Sequence, residues 1–326
     1  MSNPKNDHRD TALNGGLDHN VRRPIINRGI TLVELMIAMM LGLLVIAGVG
    51  SLFLANKQAY QVSEGLSEYQ ENVRYLFEMI TKDIRQADGT PCRKRDSKFG
   101  PQSSIIGLDW GSGIRGYTSN ESAESKDPPF GTGTAERIRG TDALRVTGST
   151  GKIYKVTQHS GDVFSLDGNP SGSFFIACSL DSATVFKATV NNSTLTDSSG
   201  TTSGQYLQDS QVSGFSQAFW YLGCNGLASC DSADGRSIYR AKNNLASSGG
   251  ESPNPIVNGV KSLQFEYLIK GADEYTETVE YWPSVIAVRV SLDLFPPKSE
   301  SNAGDLAQQP TSRLTHVIGL RNRIQP

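Results

Sequence analysis

The chain has 326 residues, about two domains' worth, and its 37% hydrophobic content is enough for a folded core. Its net charge is −2, from 31 basic and 33 acidic residues. This balance lacks the basic excess that is typical of proteins built to bind nucleic acid.

Residues 1–29 form a polar leader with five basic side chains against three acidic ones. Arg22, Arg23 and Arg28 lie nearest to the apolar run that follows. The positive-inside rule therefore predicts a cytoplasmic leader and places everything after residue 54 outside the inner membrane.

Residues 30–54 are apolar, and Glu34 is the one ionisable residue among them. A helix of this length measures about 38 Å, enough to cross a hydrocarbon core of ~30 Å. The run is also longer than the apolar core of a secretory signal, so it predicts a membrane-spanning helix. A carboxylate at the bilayer centre costs about 2.5–3.5 kcal/mol, so Glu34 calls for a partner. The alternative is an interfacial glutamate whose carboxylate reaches water.

The helical pattern continues through residues 55–88 as an amphipathic segment. Its apolar residues recur at steps of three and four: Leu66, Tyr69, Val73, Leu76, Phe77, Ile80 and Ile84. Charged residues, Asp83 among them, are expected mostly on the other faces. Asp88-Gly89-Thr90-Pro91 ends the pattern, which predicts one helix over residues 30–87. A lone coiled coil would produce the same stripe, but continuity with the membrane run favours a helix packed on its own sheet.

Residues 89–326 are predicted to form a β-rich globular domain. The predicted strands are Val285–Phe295, Ser262–Lys270, Ala143–Thr147, Ile153–Thr157, Ser173–Cys178, Ala218–Leu222, Ser237–Arg240 and Leu314–Leu320. Low-complexity stretches at 111–134, 191–204 and 243–255 are predicted to be surface loops.

Four cysteines, an even number on the exported side, favour two disulfides. Three pairings are possible. The short spacing favours a Cys224–Cys230 disulfide, which would tighten a hairpin formed by the flanking strands. Cys92 and Cys178 would then pair with each other. Unpaired or metal-bound thiols are the alternative, but the sequence has no CxxC and its histidines lie far from the cysteines, so no metal site is predicted.

The segment Arg28-Gly29-Ile30-Thr31-Leu32-Val33-Glu34, followed by about twenty apolar residues, resembles the signal of type IV prepilins and pseudopilins. The resemblance implies cleavage after Gly29 by the prepilin peptidase and N-methylation of Ile30, which stands where Phe is commoner. It also implies that Glu34 meets the N-terminal amine of a neighbouring subunit in the filament. The implied fold is α+β and pilin-like, with a long helix packed on antiparallel β-sheets.

Three segments nearer the carboxyl end resemble minor pilins of the PilW family. They are Tyr281-Trp282-Pro283 with the Val285–Leu292 run, Leu320-Arg321-Asn322, and the aromatic stretch from Trp220 to Arg240. The middle, about 95–210, shows no such likeness. The resemblance implies a subunit that primes or caps a type IV pilus with other minor pilins, the major pilin and the inner-membrane assembly machinery. It also implies a single-pass inner-membrane precursor that later reaches the cell surface in the pilus.

Two other functions remain open at this point. The first is a J-type minor pseudopilin of a type II secretion system, whose signals are almost the same. The second is a tip adhesin or DNA-uptake receptor that uses the loops at 111–134 and 191–255. For DNA, the one compact basic run after the helix is Arg93-Lys94-Arg95, which also suits a solvated turn.

The sequence offers no catalytic constellation, and no enzyme activity or cofactor is predicted. Gly148-Ser-Thr-Gly-Lys152 lacks the first glycine and the final hydroxyl of a phosphate-binding loop. His159 and His316 are expected on the surface or in loops, and the acidic stretch Glu121–Asp127 suits a solvated loop better than a calcium site.

Overall fold

The structure is a computed structural model. It describes residues 29–91, 98–99, 113–122, 127–179, 182–200, 202, 206, 210–242, 253, 255–295 and 313–323. One α-helix, α1, runs from Leu32 to Gln86. The chain divides into two compact units, Met1–Gln58 and Ala59–Pro326, so α1 contributes to both.

The second unit contains two β-sheets. Their strands are β1 (Lys98–Phe99), β2 (Ile114–Tyr117), β3 (Ala143–Ser160), β4 (Val163–Leu166), β5 (Phe174–Cys178), β6 (Ser182–Asn191), β7 (Thr194–Asp197), β8 (Gln211–Cys224), β9 (Arg236–Lys242), β10 (Pro255–Asn258), β11 (Val260–Ile269), β12 (Tyr275–Thr276), β13 (Val285–Leu294) and β14 (Arg313–Gly319). β1–β10 form the larger sheet, and β12-β11-β13-β14 the smaller one.

Six strands of the larger sheet pair in a closed circuit. β3 pairs with β8, β8 with β5, β5 with β6, β6 with β7, β7 with β4, and β4 again with β3. The interior is filled by aromatic and aliphatic side chains, with Phe164 stacked on Phe186 at 5.1 Å between ring centroids. A circuit this small has room for side chains only, so it is a packed core.

The part of α1 in the second unit packs against both sheets with one apolar stripe. Val73, Leu76, Ile80 and Ile84 are buried in a cluster with residues of β3, β8, β11 and β13. This confirms the predicted α+β, pilin-like fold. The β8–β9 pairing likewise confirms the predicted hairpin.

Several predicted details were wrong. The helix begins at Leu32, two residues later than predicted, and Asp83 is buried rather than on an outer face. The two strands predicted at Ala143–Thr147 and Ile153–Thr157 are one strand, β3. The predicted loops at 111–134 and 191–204 contain β2 and β7.

Gly148 explains why β3 carries a glycine-rich run. A Cβ at this position would lie 2.5 Å from the main-chain oxygen of Gln86, at the end of α1. The backbones on either side are joined by hydrogen bonds, from Asp88 N–H to the Thr147 carbonyl and from Ser149 N–H to the Gly89 carbonyl. The glycine therefore serves close packing between strand and helix end.

Candidate functional site

The predicted cleavage site lies at the start of the described chain. Among the described residues, no atom lies within 4 Å of the place where a Cβ of Gly29 would sit, and Ile30 is 72% exposed. No described residue therefore covers the peptide bond between Gly29 and Ile30. The rest of the predicted leader, residues 1–28, lies outside the described residues.

Thr31 starts the helix. Its Oγ1 accepts a hydrogen bond from the backbone N–H of Glu34 at 3.2 Å, and its carbonyl oxygen accepts the first bond of the helix, from Leu35 N–H. These are the contacts of an N-cap residue. The Thr-x-x-Glu spacing is also the signature of a capping box, a local signal from which the start of the helix could have been predicted correctly.

The cap fixes Glu34 in the first turn of α1, where its side chain is exposed. Among the described residues, its carboxylate has neither a hydrogen-bond partner nor an ionic one. A negative charge in the first turn is favourable for the helix dipole but costly in hydrocarbon. A cation from outside the described residues would offset this cost.

The apolar side chains that follow Glu34 face outward. The helical stretch Leu32–Tyr60 is 29 residues long, and it contains an 18-residue window with a mean hydropathy of 2.5, none of which is buried. At ~1.5 Å per residue it spans about 43 Å, more than the ~30 Å hydrocarbon core. The stretch has the length and composition of a membrane-spanning helix.

In the second unit, Cys224 and Cys230 form a disulfide that closes the loop between β8 and β9. Asn225 braces the loop from inside, because its Nδ2 donates to the Asp234 carbonyl and to Ser237 Oγ, and its Oδ1 accepts from Leu227 N–H. Leu227 itself is 78% exposed. The loop is therefore held by a disulfide and by the hydrogen bonds of Asn225, and it carries an exposed apolar side chain.

Cys178 is also disulfide-bonded. Its predicted partner, Cys92, lies outside the described residues, as does the basic run Arg93-Lys94-Arg95.

Arg137 holds the segment between β2 and β3 in place. Its guanidinium is buried and donates to four carbonyl oxygens, those of Tyr117, Thr118, Glu121 and Thr141. Burial lowers the pKa of Arg137 to about 10, which still leaves it protonated at neutral pH. The part of the predicted 111–134 loop that is described is therefore ordered.

The other residues considered for chemistry are not brought together. His159 lies on β3, while His316 lies on β14 with its ring 5.1 Å from that of Phe77. The two ends of the acidic stretch are engaged separately, since Glu121 pairs with Arg115 and Asp127 with Arg145. Among the described residues, no three potential metal ligands cluster.

Residues 26–50 match the family model for the prokaryotic N-terminal methylation motif. The match covers Gly29, Ile30, Thr31 and Glu34. No curated protein and no solved structure shows a significant match. Together with the fold, the motif supports a type IV pilin-like or pseudopilin-like protein in general, and so a structural protein rather than an enzyme. It implies processing by a prepilin peptidase and is consistent with membrane anchoring.

Proposed function

We propose that this protein is a minor pilin of the PilW type, which primes or caps a type IV pilus together with other minor pilins. The observation that carries the proposal is the carboxylate of Glu34. It stands without a partner among the described residues in the first turn of an exposed apolar helix, four residues after Ile30, whose bond to Gly29 no described residue covers.

In the proposed mechanism, the peptidase cuts after Gly29 and frees the amine of Ile30, which is then methylated. The new amine is a cation at the positive end of the helix dipole, where a cation is unfavourable. A glutamate of a neighbouring subunit would neutralise it, and Glu34 would in turn receive the amine of another subunit. Each contact removes one uncompensated charge from the apolar environment.

In the proposed organisation, the chain has four segments with separate roles. Residues 1–29 are the cytoplasmic leader, 30–54 the membrane-spanning and filament-core helix, 55–88 its amphipathic continuation, and 89–326 the exported domain.

The test uses Glu34→Gln, with Glu78→Gln as the matched control on an exposed position of the same helix. Mature wild-type protein should begin at methylated Ile30, and both variants should be cleaved. Glu34→Gln should reduce the amount of subunit recovered in sheared filaments by at least about tenfold, because it leaves the neighbouring amine unpaired and an unpaired charge in apolar surroundings costs more than about 1.4 kcal/mol. Glu78→Gln should behave as wild type.

A mature protein that keeps its leader would overturn the proposal, and so would a Glu34→Gln variant that enters filaments at the wild-type level. Deleting the gene separates the pilus from a secretion system: we expect loss of twitching with exoprotein secretion intact.

A further inference from the structure

A groove with an accessible volume of about 480 Å³ lies beside the carboxyl-terminal part of α1, within the second unit. Tyr75, Met79 and Lys82 line it from the helix, and Phe174 lines it from β5 of the closed strand circuit. Lys242, at the end of β9, lines it as well. The volume is in the range of sites that bind small ligands or a few side chains of a partner.

The groove is positively charged. Arg240 also borders it, but this guanidinium is engaged by Asp83 at 2.6 Å. Lys82 and Lys242 are exposed and form no ion pair with a described residue. The remaining walls are largely hydroxyl side chains and glycine backbone, which can donate hydrogen bonds to an anion without adding negative charge.

The same helix carries the complementary charge nearer its amino-terminal end. Residues 59–73 contain Glu64, Glu68 and Glu71 and no lysine or arginine. Glu64 and Glu71 are exposed. Glu68 and Lys82 are separated by roughly 21 Å of helix at ~1.5 Å per residue. Two such subunits, staggered by about this distance along their helices, would bring acidic stretch and basic groove together.

We propose that the groove receives carboxylates from the acidic helical stretch of an adjacent pilin-like subunit. The proposal rests on the proposed function, because a filament is what supplies an adjacent, staggered helix. Lys82 and Lys242 are the specificity-determining residues, and the hydroxyl groups of the wall hydrogen-bond the bound carboxylates.

A nucleic-acid strand is the less favoured anion. Single-stranded nucleic acid is held by a series of stacking rings along a basic channel, whereas Tyr75 is the exposed ring on the described wall of this groove. The net charge of −2 also opposes a long polyanion.

The test measures binding to the full-length protein in detergent by fluorescence anisotropy. The probes are a labelled peptide of residues 59–73, the same peptide with its three glutamates replaced by glutamine, and a single-stranded oligonucleotide. We expect the acidic peptide to bind, and the double variant Lys82→Glu, Lys242→Glu to weaken this binding about tenfold. Lys82→Gln with Lys242→Gln should have an intermediate effect and guards against misfolding of the charge-reversed protein. Lys270→Glu, an exposed control directly after β11, should change nothing.

Equal binding of the acidic and glutamine peptides, equal effects of the groove and control variants, or no binding to wild type would each overturn the proposal. Tighter binding of the oligonucleotide, lost in the groove variants, would overturn it in favour of nucleic acid. The groove variants retain Gly29 and Glu34. A wild-type protein that is not cleaved before Ile30 would therefore count against the proposed function. Groove variants that bind the acidic peptide as well as wild type does would count against the groove proposal alone.

Discussion

The ring of His159 lies 4.2 Å from that of Phe164 and 5.3 Å from that of Tyr206, measured between centroids. Its Nδ1 accepts a hydrogen bond from Tyr206 N–H at 3.4 Å, which requires this nitrogen to be unprotonated. Its Nε2 is buried and has no hydrogen-bond partner among the described residues. Burial lowers the pKa of His159, although the nearby Asp162 acts in the opposite direction.

This environment predicts a pH dependence of stability. Because the folded-state pKa of His159 lies below its ordinary value of 6.5, the unfolded chain binds the proton more readily. The contribution of His159 to the free energy of unfolding should be constant well above pH 6.5 and should fall as the pH drops through 6.5 and below. Urea unfolding followed by the fluorescence of buried Trp220 measures it.

His159→Gln should remove this slope, and His316→Gln, at an exposed position, should leave it in place. Parallel pH profiles of wild type and His159→Gln would show that the histidine does not titrate differently on folding.

At the scale of elements, Asp83 fastens α1 to the larger sheet. Its carboxylate accepts a hydrogen bond from Trp220 Nε1 at 2.9 Å and two from Arg240, from Nε and Nη2, each at 2.6 Å. Both charged side chains are nearly buried, with 9% and 13% exposed. The pair adds directional contacts to the apolar stripe of the helix.

Asp83→Ala should lower the free energy of unfolding by about 3–5 kcal/mol, because it leaves the Arg240 guanidinium buried without its counter-ion. Glu78→Ala removes an exposed ion pair with Arg74 and should cost under about 0.5 kcal/mol. Urea unfolding compares the two. Replacing both partners, as Asp83→Leu with Arg240→Met, should recover part of the loss. Equal effects of the two alanine variants would contradict a fastening role.

The helix was predictable because its signals are local. Val73, Leu76, Ile80 and Ile84 recur at helical spacing, so their burial followed from the sequence. Asp83 was misplaced because its partners, Trp220 and Arg240, lie more than 130 residues away in the chain. Periodicity alone cannot show that a polar residue at the edge of a stripe has a buried partner.

The strands were predictable where apolar and polar residues alternate, as in β13. They were not predictable where the extended backbone is stabilised mainly by hydrogen bonds to a partner strand that lies far away in the chain. β3 continues through the Gly148–Gly151 run because β8 pairs along most of it, with an irregularity between Thr150 and Tyr154. β7 lies inside residues 191–204, a run rich in Ser, Thr and Asn that on its own indicates a loop.

At the scale of the whole molecule, the closed strand circuit has no sequence signature, because its closing pair joins segments as distant as Ala143 and Tyr221. The cleavage site and Glu34, by contrast, could be predicted from local sequence alone. Gly29, Ile30 and Glu34 lie within six residues, so their spacing carries the prediction without tertiary information. The groove beside α1 was not predictable, since Lys82 and Lys242 approach each other only in the fold.

The end of α1 contacts the carboxyl-terminal turn, although the two segments lie near opposite ends of the globular unit's sequence. Arg323 Nε donates to Asp88 Oδ2 at 3.1 Å, and its Nη1 donates to the carbonyl oxygens of Trp282 and Val285. Asn322 Nδ2 donates to the Ala87 carbonyl at 2.9 Å. Asp88, with φ of 59°, ends the helix in the left-handed region, and the turn stabilises this conformation.

Arg323→Ala should therefore lower the free energy of unfolding by about 3 kcal/mol, because it removes the ion pair with a partly buried carboxylate and two buried hydrogen bonds at once. Arg323→Lys should recover only part of it, since an ammonium cannot reproduce the planar fork of donors. Arg321→Ala, two residues earlier and exposed, should change stability by no more than about 0.5 kcal/mol. Urea unfolding with Trp220 fluorescence ranks the three. If Arg321→Ala and Arg323→Ala are equivalent, the turn does not stabilise the helix end. If the ranking holds, the end of α1 cannot reach its full stability until residues 322 and 323 have joined the fold, because they supply the contacts with Ala87 and Asp88.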